Sequence, residues 1–580
     1  MKYPSIDDDD FYKKINNIYK KFTIPKKKKS FDEICIPKKY KLQLPQIFLS
    51  EFINPKTQYK GVLVYHRIGA GKTCSAVRIA EKWKKIKRIV VVLPASLKSN
   101  FRTELRSLCA DNNYLKQNER EELKDLHPRD ERYKEIIKIS DDRIDKYYEI
   151  YSYNKFIDYI KEKSINLKNT VLIIDEIQNM VSEEGTYYEM LYNLIHKTGS
   201  DLRVILLSAT PMFDKPHEIG LTMNLLRVNN ELPTGKDFEK KYINTIKHKN
   251  GAYTLETKNL DDFKNRIKGY ISYFRGAPPY VFPEMTVKYV KCQMSDFQYS
   301  AYRSILKNEA KKEHKDLSKV KKKISKDVNM MSDLPNNFFI GSRFASNIVF
   351  PNKMSGDDGF ESMTNRNIQR GIHKYSAKFN KMITKINNAK GKVFVYSSFK
   401  EYAGLRSFVR VLKAFGYKDY AEYGMGKKRF AVWSSDENIA YKDEIKTIFN
   451  KSNNINGSKL KIILGSSSIK EGVSFTAVRQ VHIIDPYWNW PRLSQVIGRA
   501  SRFCSHKELP EEERNVKVYI YIATHENERE TIDQYIHSLS VNKNKLVQEF
   551  ERAIKEAAID CKLNKYANIS DDENDFVCDK

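Results

Sequence analysis

The runs Gly61 to Tyr65, Arg88 to Leu93, Val171 to Ile174 and Val204 to Leu207 are short, rich in Val, Ile and Leu, and each ends in a polar or glycine-bearing loop. A run that is apolar at nearly every position has no side to turn to water, so it reads as a strand covered on both faces, the mark of a parallel sheet. Helical patterns between the runs, such as Thr73 to Lys84 and Leu97 to Leu108, supply the covering layers. Residues 42–285 therefore read as an α/β lobe with a doubly wound sheet, whose functional loops belong at the carboxyl ends of the strands. A second set, Lys392 to Tyr396, Phe430 to Trp433, Lys461 to Leu464, Gln480 to Ile484 and Val516 to Ile522, repeats the pattern and predicts a second α/β lobe over 286–555.

The rest of the chain is marked by charge. Lys and Arg outnumber Asp and Glu by 103 to 73 in 580 residues, a net +30 that points to a polyanionic partner, with a Lys-rich proteome as the plainer alternative. A hydrophobic content of 41% suffices for real cores and argues against a disordered chain. Residues 1–41 read as a basic extension with Pro25 and Lys26 to Lys29, and 556–580 as a tail that is acidic from Asp571 to Asp575; both are expected to be mobile. A Lys-rich insertion is expected over 306–340, with eight lysines between Ala310 and Asp327 and helix breakers from Met331 to Asn337. Asn112 to Tyr147 reads as a second charged helical insertion, facing solvent or docking a partner.

The seven cysteines are odd in number and lack the close spacing of a zinc site, which points to a reducing compartment. No apolar run reaches the roughly 18 residues of a membrane span, and Asp7 to Asp10 stand where a signal segment would be apolar, so no membrane partner is expected.

His66-Arg67-Ile68-Gly69-Ala70-Gly71-Lys72-Thr73 follows one strand and opens a helix, the setting a phosphate-binding loop requires. Its backbone N–H groups would face the β- and γ-phosphates, Lys72 would add a cation, and the Thr73 hydroxyl would ligate Mg²⁺. Gly69 and Gly71, on either side of Ala70, leave room for close approach. His66 stands where the strict pattern has its first glycine. The third run ends in Asp175-Glu176-Ile177-Gln178, with Asp175 placed to hold magnesium and Glu176 to orient and deprotonate the attacking water. The fourth ends in Ser208-Ala209-Thr210-Pro211, and the hydroxyls of Ser208 and Thr210 are expected to bond Asp175 or Glu176 and relay the phosphate state.

Loop, Asp-Glu-x-Gln and Ser-Ala-Thr in this order resemble motifs I, II and III of superfamily 2 helicases. In the second lobe Val395-Tyr396-Ser397-Ser398-Phe399 resembles motif IV, and Gly465 to Gly472 resembles motif V, with Gly472 a coupling position. Gln495-Val496-Ile497-Gly498-Arg499-Ala500-Ser501-Arg502 matches motif VI, Q-x-x-G-R-x-x-R, at every defined position. Arg499 and Arg502, three apart, are expected to project from one face of a helix and to need an anion opposite them. Planar guanidinium groups suit the spread charge of a transferring phosphoryl group. Pairing with carboxylates such as Glu508 is the structural alternative.

More narrowly, Asn450, Asn453, Gly457, the Ile463 to Glu471 loop and His482-Ile483-Ile484-Asp485-Pro486-Tyr487-Trp488-Asn489 are similar to the transcription helicases of large DNA viruses. That family includes the small subunit of the poxvirus early transcription factor and poxvirus nucleoside triphosphatase I. Leu44-Pro45-Gln46 with Phe48, and Ala558-Ile559-Asp560-Cys561, extend the resemblance over about residues 42 to 565.

The resemblance implies two tandem RecA-like lobes using ATP and Mg²⁺. It implies a DNA-dependent ATPase that works with a viral RNA polymerase or transcription-factor subunit, in initiation or in termination, located in the virion and the host cytoplasm. By the same carry-over Gln46 touches the adenine and Gln495, Arg499 and Arg502 serve catalysis. Gln178 stands where many relatives carry His. An RNA helicase and a non-hydrolysing basic subunit of a transcription complex are the alternatives, the last disfavoured by the retention of Lys72, Asp175, Glu176, Arg499 and Arg502.

Overall fold

The computed structural model describes residues 3–26, 29–36, 40–67, 69–126, 130–181, 186–212, 215–227, 230–247, 253–312, 338–470, 473–568 and 577–579. Contacts divide the chain into two units, one of Met1–Lys247, Thr254–Pro279 and Leu546–Lys580, the other of His248–Tyr253 and Tyr280–Lys545.

The first unit is built on strands β1 (Gly61–His66), β2 (Arg88–Leu93), β3 (Tyr148–Ser152), β4 (Thr170–Asp175) and β5 (Arg203–Ser208). A separate pair, β6 (Ile243–Lys247) and β7 (Tyr253–Thr257), precedes the last strand, β8 (Ile271–Phe274). The six-stranded sheet runs β3-β2-β4-β5-β1-β8, every pair parallel. Alternation sends Val62 and Val64, Ile89 and Val91, Val171 and Ile173, and Ile205 and Leu207 into one core. Register brings Tyr65 level with Ser208, and Leu207 level with Asp175, so the loops after β1, β4 and β5 leave the sheet side by side.

Both ends of the chain differ from expectation. The helix Phe11–Ile18 buries Phe11, Tyr12 and Ile15, and with Tyr19 and Phe22 these join the core that holds Phe48, Phe52 and Tyr59. The apolar spacing of this helix decides its place, whereas the sequence reading weighed the nearby lysines. Residues 557–568 also belong to the first unit: Ile559 and Leu563 enter the same core, and the Ile559 N–H donates to Ile271 O at 2.8 Å. Asp571 to Asp575 lie outside the described residues.

The charged stretch from Asn112 forms helices Gln117–Asp125 and Glu131–Asp145, with Ile136 and Ile144 buried and Arg143 paired to Glu119 at 2.7 Å. Disulfides join Cys74 to Cys109 and Cys561 to Cys578, and Cys292 is free and buried. Pairing follows from Cα positions 5.7 Å apart in both cases, which separations of 35 and 17 residues do not reveal.

The second unit holds β9 (Glu284–Gln293), β10 (Lys392–Tyr396), β11 (Lys418–Asp419), β12 (Arg429–Trp433), β13 (Ile462–Gly465), β14 (Val478–Ile483) and β15 (Asn515–Thr524). Its parallel sheet runs β11-β12-β13-β10-β14-β15-β9. Val393 and Val395 enter one core and Phe394 and Tyr396 the other, so both faces are covered. Edge strands β3, β8 and β9 escaped the sequence reading; β9, with its Lys and exposed Met285 and Tyr289, lacks the continuous apolar run of a central strand. The Lys-rich run begins on the helix Asp296–Lys312, and Glu313 to Asp327 and Met331 to Asn337 lie outside the described residues. No described helix is long and apolar enough to cross a membrane.

Candidate nucleotide-binding and hydrolysis site

The loop after β1 turns through left-handed backbone at Gly69 (φ 88°) and Gly71 (φ 72°) and opens the helix Lys72–Trp83. Gly71 is required twice over, because a Cβ there would also lie 2.3 Å from Gln46 Nε2. The helix's first N–H groups and its dipole make its opening turn an anion site, and Thr73 is its second residue. Ala70 is buried against Gly276, where a Cβ would come within 2.7 Å of its own. Gln46 is buried on the helix Leu44–Phe52, its Nε2 donating to Gly71 O at 3.3 Å and its Oε1 accepting the Gln43 N–H at 2.9 Å. Ile68 lies outside the described residues.

The end of β4 supplies the acids. Lys72 Nζ lies 2.7 Å from Glu176 Oε1 and 3.2 Å from Asp175 Oδ1, and Asp175 Oδ1 also accepts the Glu176 N–H at 2.9 Å. Burial alone would lower the Lys72 pKa, but the two carboxylates outweigh it and hold the ammonium above its ordinary value. Burial raises Asp175, with Lys72 opposing and the like charge of Glu176 adding to the rise. Glu176 takes left-handed backbone (φ 54°), uncommon for a residue with a side chain, and Tyr153 holds the turn by donating its hydroxyl to the carbonyls of Asp175 and, at 2.9 Å, of Glu176. A tyrosine more than twenty residues upstream carries no local signal, and sequence reading missed it.

Ser208 reaches the acids by a route other than the direct one expected. Ser208 Oγ donates to Gln178 Oε1 at 2.8 Å and Gln178 Nε2 donates to Glu176 Oε2 at 2.6 Å, so the hydroxyl reaches the acid through an amide. Thr210 contributes its N–H, bonded to Ser208 Oγ at 3.0 Å. Gln178, a donor and an acceptor at once, is the bridge; its departure from His was the only clue in the sequence.

In the second unit Asn489 Oδ1 caps the helix Trp490–Ile497 by accepting the Arg492 N–H, and Gln495 is buried on that helix. The helix stops at Ile497, so Arg499 lies in the turn that follows and Arg502 in irregular backbone, not on one helical face as expected. Loop bonds place them instead. Arg499 O accepts the Phe475 N–H at 2.8 Å, one guanidinium nitrogen meets Val473 O at 3.5 Å, and Ser505 Oγ accepts the Arg502 N–H at 3.2 Å. Gly498, a poor helix residue, permits the stop. Glu508 Oε1 accepts from Ser452 Oγ at 2.8 Å. Gly472 lies outside the described residues.

Chemically, the first unit offers a phosphate cradle, one buried cation, and two hard oxygen donors, Thr73 and Asp175, of the kind Mg²⁺ takes. It also offers a carboxylate, Glu176, held by Lys72 on one oxygen and Gln178 on the other.

Comparison with known proteins agrees with this assembly. The SNF2-related domain matches residues 12–337 and the helicase conserved C-terminal domain residues 377–504. A protein of Acanthamoeba polyphaga mimivirus described as an ATP-dependent RNA helicase is 51% identical over 100% of this chain and 99% of its own. A termination factor NPH-I homologue of African swine fever virus is 27% identical over 87% of this chain and 77% of its own. A protein of invertebrate iridescent virus 3 described as a helicase is 28% identical over 91% of this chain, which spans 54% of that relative's length.

Proposed function

Since this chain belongs to the SNF2-related, ATP-hydrolysing helicases of large DNA viruses, we propose that it is a DNA-dependent, Mg²⁺-requiring ATP motor serving viral transcription. The observation that carries the chemistry is the Lys72–Asp175–Glu176 cluster at the mouth of the phosphate loop. Incoming phosphates draw Lys72 from the carboxylates, because they bring more negative charge to the same ammonium. Asp175 and Thr73 would hold the metal ion, which would supply charge neutralisation to the phosphates. Glu176, released from Lys72, aligns the attacking water and takes its proton. Gln178 keeps Glu176 Oε2 turned toward its task and passes any shift to Ser208 at the end of β5. Gln46 takes the adenine, Arg499 and Arg502 stabilise charge on the transferring phosphoryl group, Gln495 assists them, and Gly472 couples hydrolysis to nucleic acid.

The likeness to termination-factor homologues supports a role in transcription; an RNA polymerase or transcription-factor subunit as partner, and virion and viral factory as the place of action, belong to the same proposal. The description of the mimivirus relative supports RNA as the second reading. Phosphate release measured with no polymer, single-stranded DNA, duplex DNA and RNA separates them. Several-fold stimulation by DNA, falling steeply with salt, is the expected result, and stimulation by RNA alone reverses the assignment. A rate untouched by any polymer overturns the motor.

A further inference from the structure

Behind the phosphate loop lies a buried chain of polar side chains that the hydrolysis chemistry leaves unused. His66 Nε2 lies 2.9 Å from Ser272 Oγ on β8, and Ser272 Oγ donates to Asp560 Oδ2 at 2.6 Å. Asp560 also accepts the Tyr273 N–H on Oδ1 and Asn564 Nδ2 on Oδ2, each at 2.9 Å. His66, Ser272 and Asp560 are all fully buried. Asn564 and Asn568 donate to Tyr273 O at 3.2 and 3.1 Å, and Asn568 Oδ1 accepts the Arg275 N–H, so residues 559–568 line the free edge of β8.

With Asp560 ionised, the proton count along this chain is determinate. Ser272 has one hydrogen and gives it to Asp560, so toward His66 its oxygen can only accept, and Nε2 must carry the imidazole proton. Burial, with the nearby Lys72 charge, pushes the His66 pKa down to about 3, so the ring is neutral. Nδ1 is then a lone-pair acceptor, fully buried and without a hydrogen bond among the described residues, at the root of the phosphate loop.

Resting on the reading of this loop as the nucleotide site, we infer that the C-terminal segment is a working part of that site: Asp560, through Ser272, sets the tautomer of His66, and His66 Nδ1 accepts a loop N–H or an ordered water when phosphate binds. His66, Ser272 and Asp560 are thus positioning residues. The arrangement explains why histidine serves where the strict loop pattern has glycine: a fixed acceptor replaces backbone freedom at the loop's first position. Asp560 itself is pushed up to about 7 by burial, against the donors Ser272, Tyr273 and Asn564. Charged groups about the chain are Lys72 on the His66 side, Lys555, whose ammonium lies over the Tyr273 ring 5.4 Å from its centroid, and Arg67 and Glu551 at Tyr65, whose ring centroid lies 5.0 Å from that of Tyr273. A protonated Asp560 would donate to Ser272, which would then donate to Nε2 and move the ring proton to Nδ1.

Asp560→Asn tests this in the full-length chain, because the amide keeps the shape and the Tyr273 contact but donates to Ser272. With ¹⁵N-histidine labelling, and His66→Gln to assign the signal, the nucleotide-free parent above neutral pH should show the Nε2–H form and the Asp560→Asn protein the Nδ1–H form. KM for ATP should rise about tenfold in Asp560→Asn and in Ser272→Ala, with kcat changed less than about twofold. In the parent KM should also rise as pH falls through about 7, and in Asp560→Asn it should be flat there. The same tautomer in parent and Asp560→Asn, or an unchanged KM in both folded variants, overturns the inference. If the parent binds no ATP the nucleotide reading fails instead, and the tautomer comparison still decides the relay.

Discussion

Ser208 at the end of β5 and Ser397 just past the end of β10 hold the same place in two sheets and begin their loops alike. Each hydroxyl accepts the N–H two residues on, from Thr210 and from Phe399, both at 3.0 Å. Each then donates onward, Ser208 to Gln178 at 2.8 Å and Ser397 to Asp485 at 2.5 Å. There the likeness ends. Gln178 passes the contact on to Glu176 and so to the Lys72 ammonium. Asp485 ends it: the carboxyl is buried, also accepts the Ser398 N–H at 3.2 Å, and is raised above its ordinary pKa by burial. The same strand-end hydroxyl is therefore wired to the proposed reacting groups in one unit and to scaffolding in the other, and what separates them is whether the next group is an amide that relays or an acid that is sealed in.

The largest effect should come at the end of the wired chain. Glu176→Gln removes the proton acceptor but not the loop, so turnover should fall about 10²- to 10⁴-fold while nucleotide affinity, read by titration, stays within a few-fold. Full turnover in that variant would break the contrast at its source.

Next stands Arg499, in the second unit, which the proposal puts on the chemical side of the comparison. Arg499→Ala should lower kcat on the order of 10³-fold with nucleotide affinity far less changed, and Arg499→Lys should be strongly impaired because the planar fork is lost. A folded Arg499→Ala protein with the parent rate would return this turn to scaffolding, the role of Asp485.

Two serine variants sharpen the contrast itself. Ser208→Ala should lower polymer-stimulated turnover about tenfold, the scale of one hydrogen bond to a charged network, with little change in melting temperature. Ser397→Ala should do the reverse, costing about 1–3 kcal/mol of stability by stripping a buried carboxyl of a donor, with turnover per folded molecule within about twofold. A sign follows for pH. The Asp485 pKa is raised in the folded state, so its contribution to stability is present at low pH and lost as pH rises through the folded value. Ser397 favours the charged form, so the Ser397→Ala deficit, read as a melting-temperature difference, should be larger above that pH than below it. Equal effects of both variants on turnover would erase the distinction between the two hydroxyls.

The local grammar of this chain was legible without any structure. Central strands announce themselves because a strand covered on both faces must be apolar throughout, and the loop from Gly69 to Thr73, the acids Asp175 and Glu176, and the arginines Arg499 and Arg502 sit at strand and helix ends that such runs locate. Edge strands β3 and β9 were not legible, because an edge that meets water carries a mixed pattern, and β8 was not because it is only four residues long with Ser272 among its buried positions. Nor was the stop at Ile497, where Gly498 and the bonds to Val473 and Phe475 override the helical spacing of the arginines.

Tertiary structure alone decided which distant groups meet. Ser208 reaches Gln178 across 30 residues, His66 reaches Ser272 across 206, and Ser272 reaches Asp560 across 288. The physical reason is that an element's own propensity and periodicity are written in its neighbours along the chain, while a hydrogen bond between side chains depends only on where the folded backbone carries them. Lys72, Asp175 and Glu176 could be named from sequence because their strand ends are level in any parallel sheet of this order. The bridge through Gln178, the clamp of Tyr153 and the return of residues 557–568 to the first unit could not, because nothing local distinguishes a glutamine, a tyrosine or an aspartate that is about to be buried.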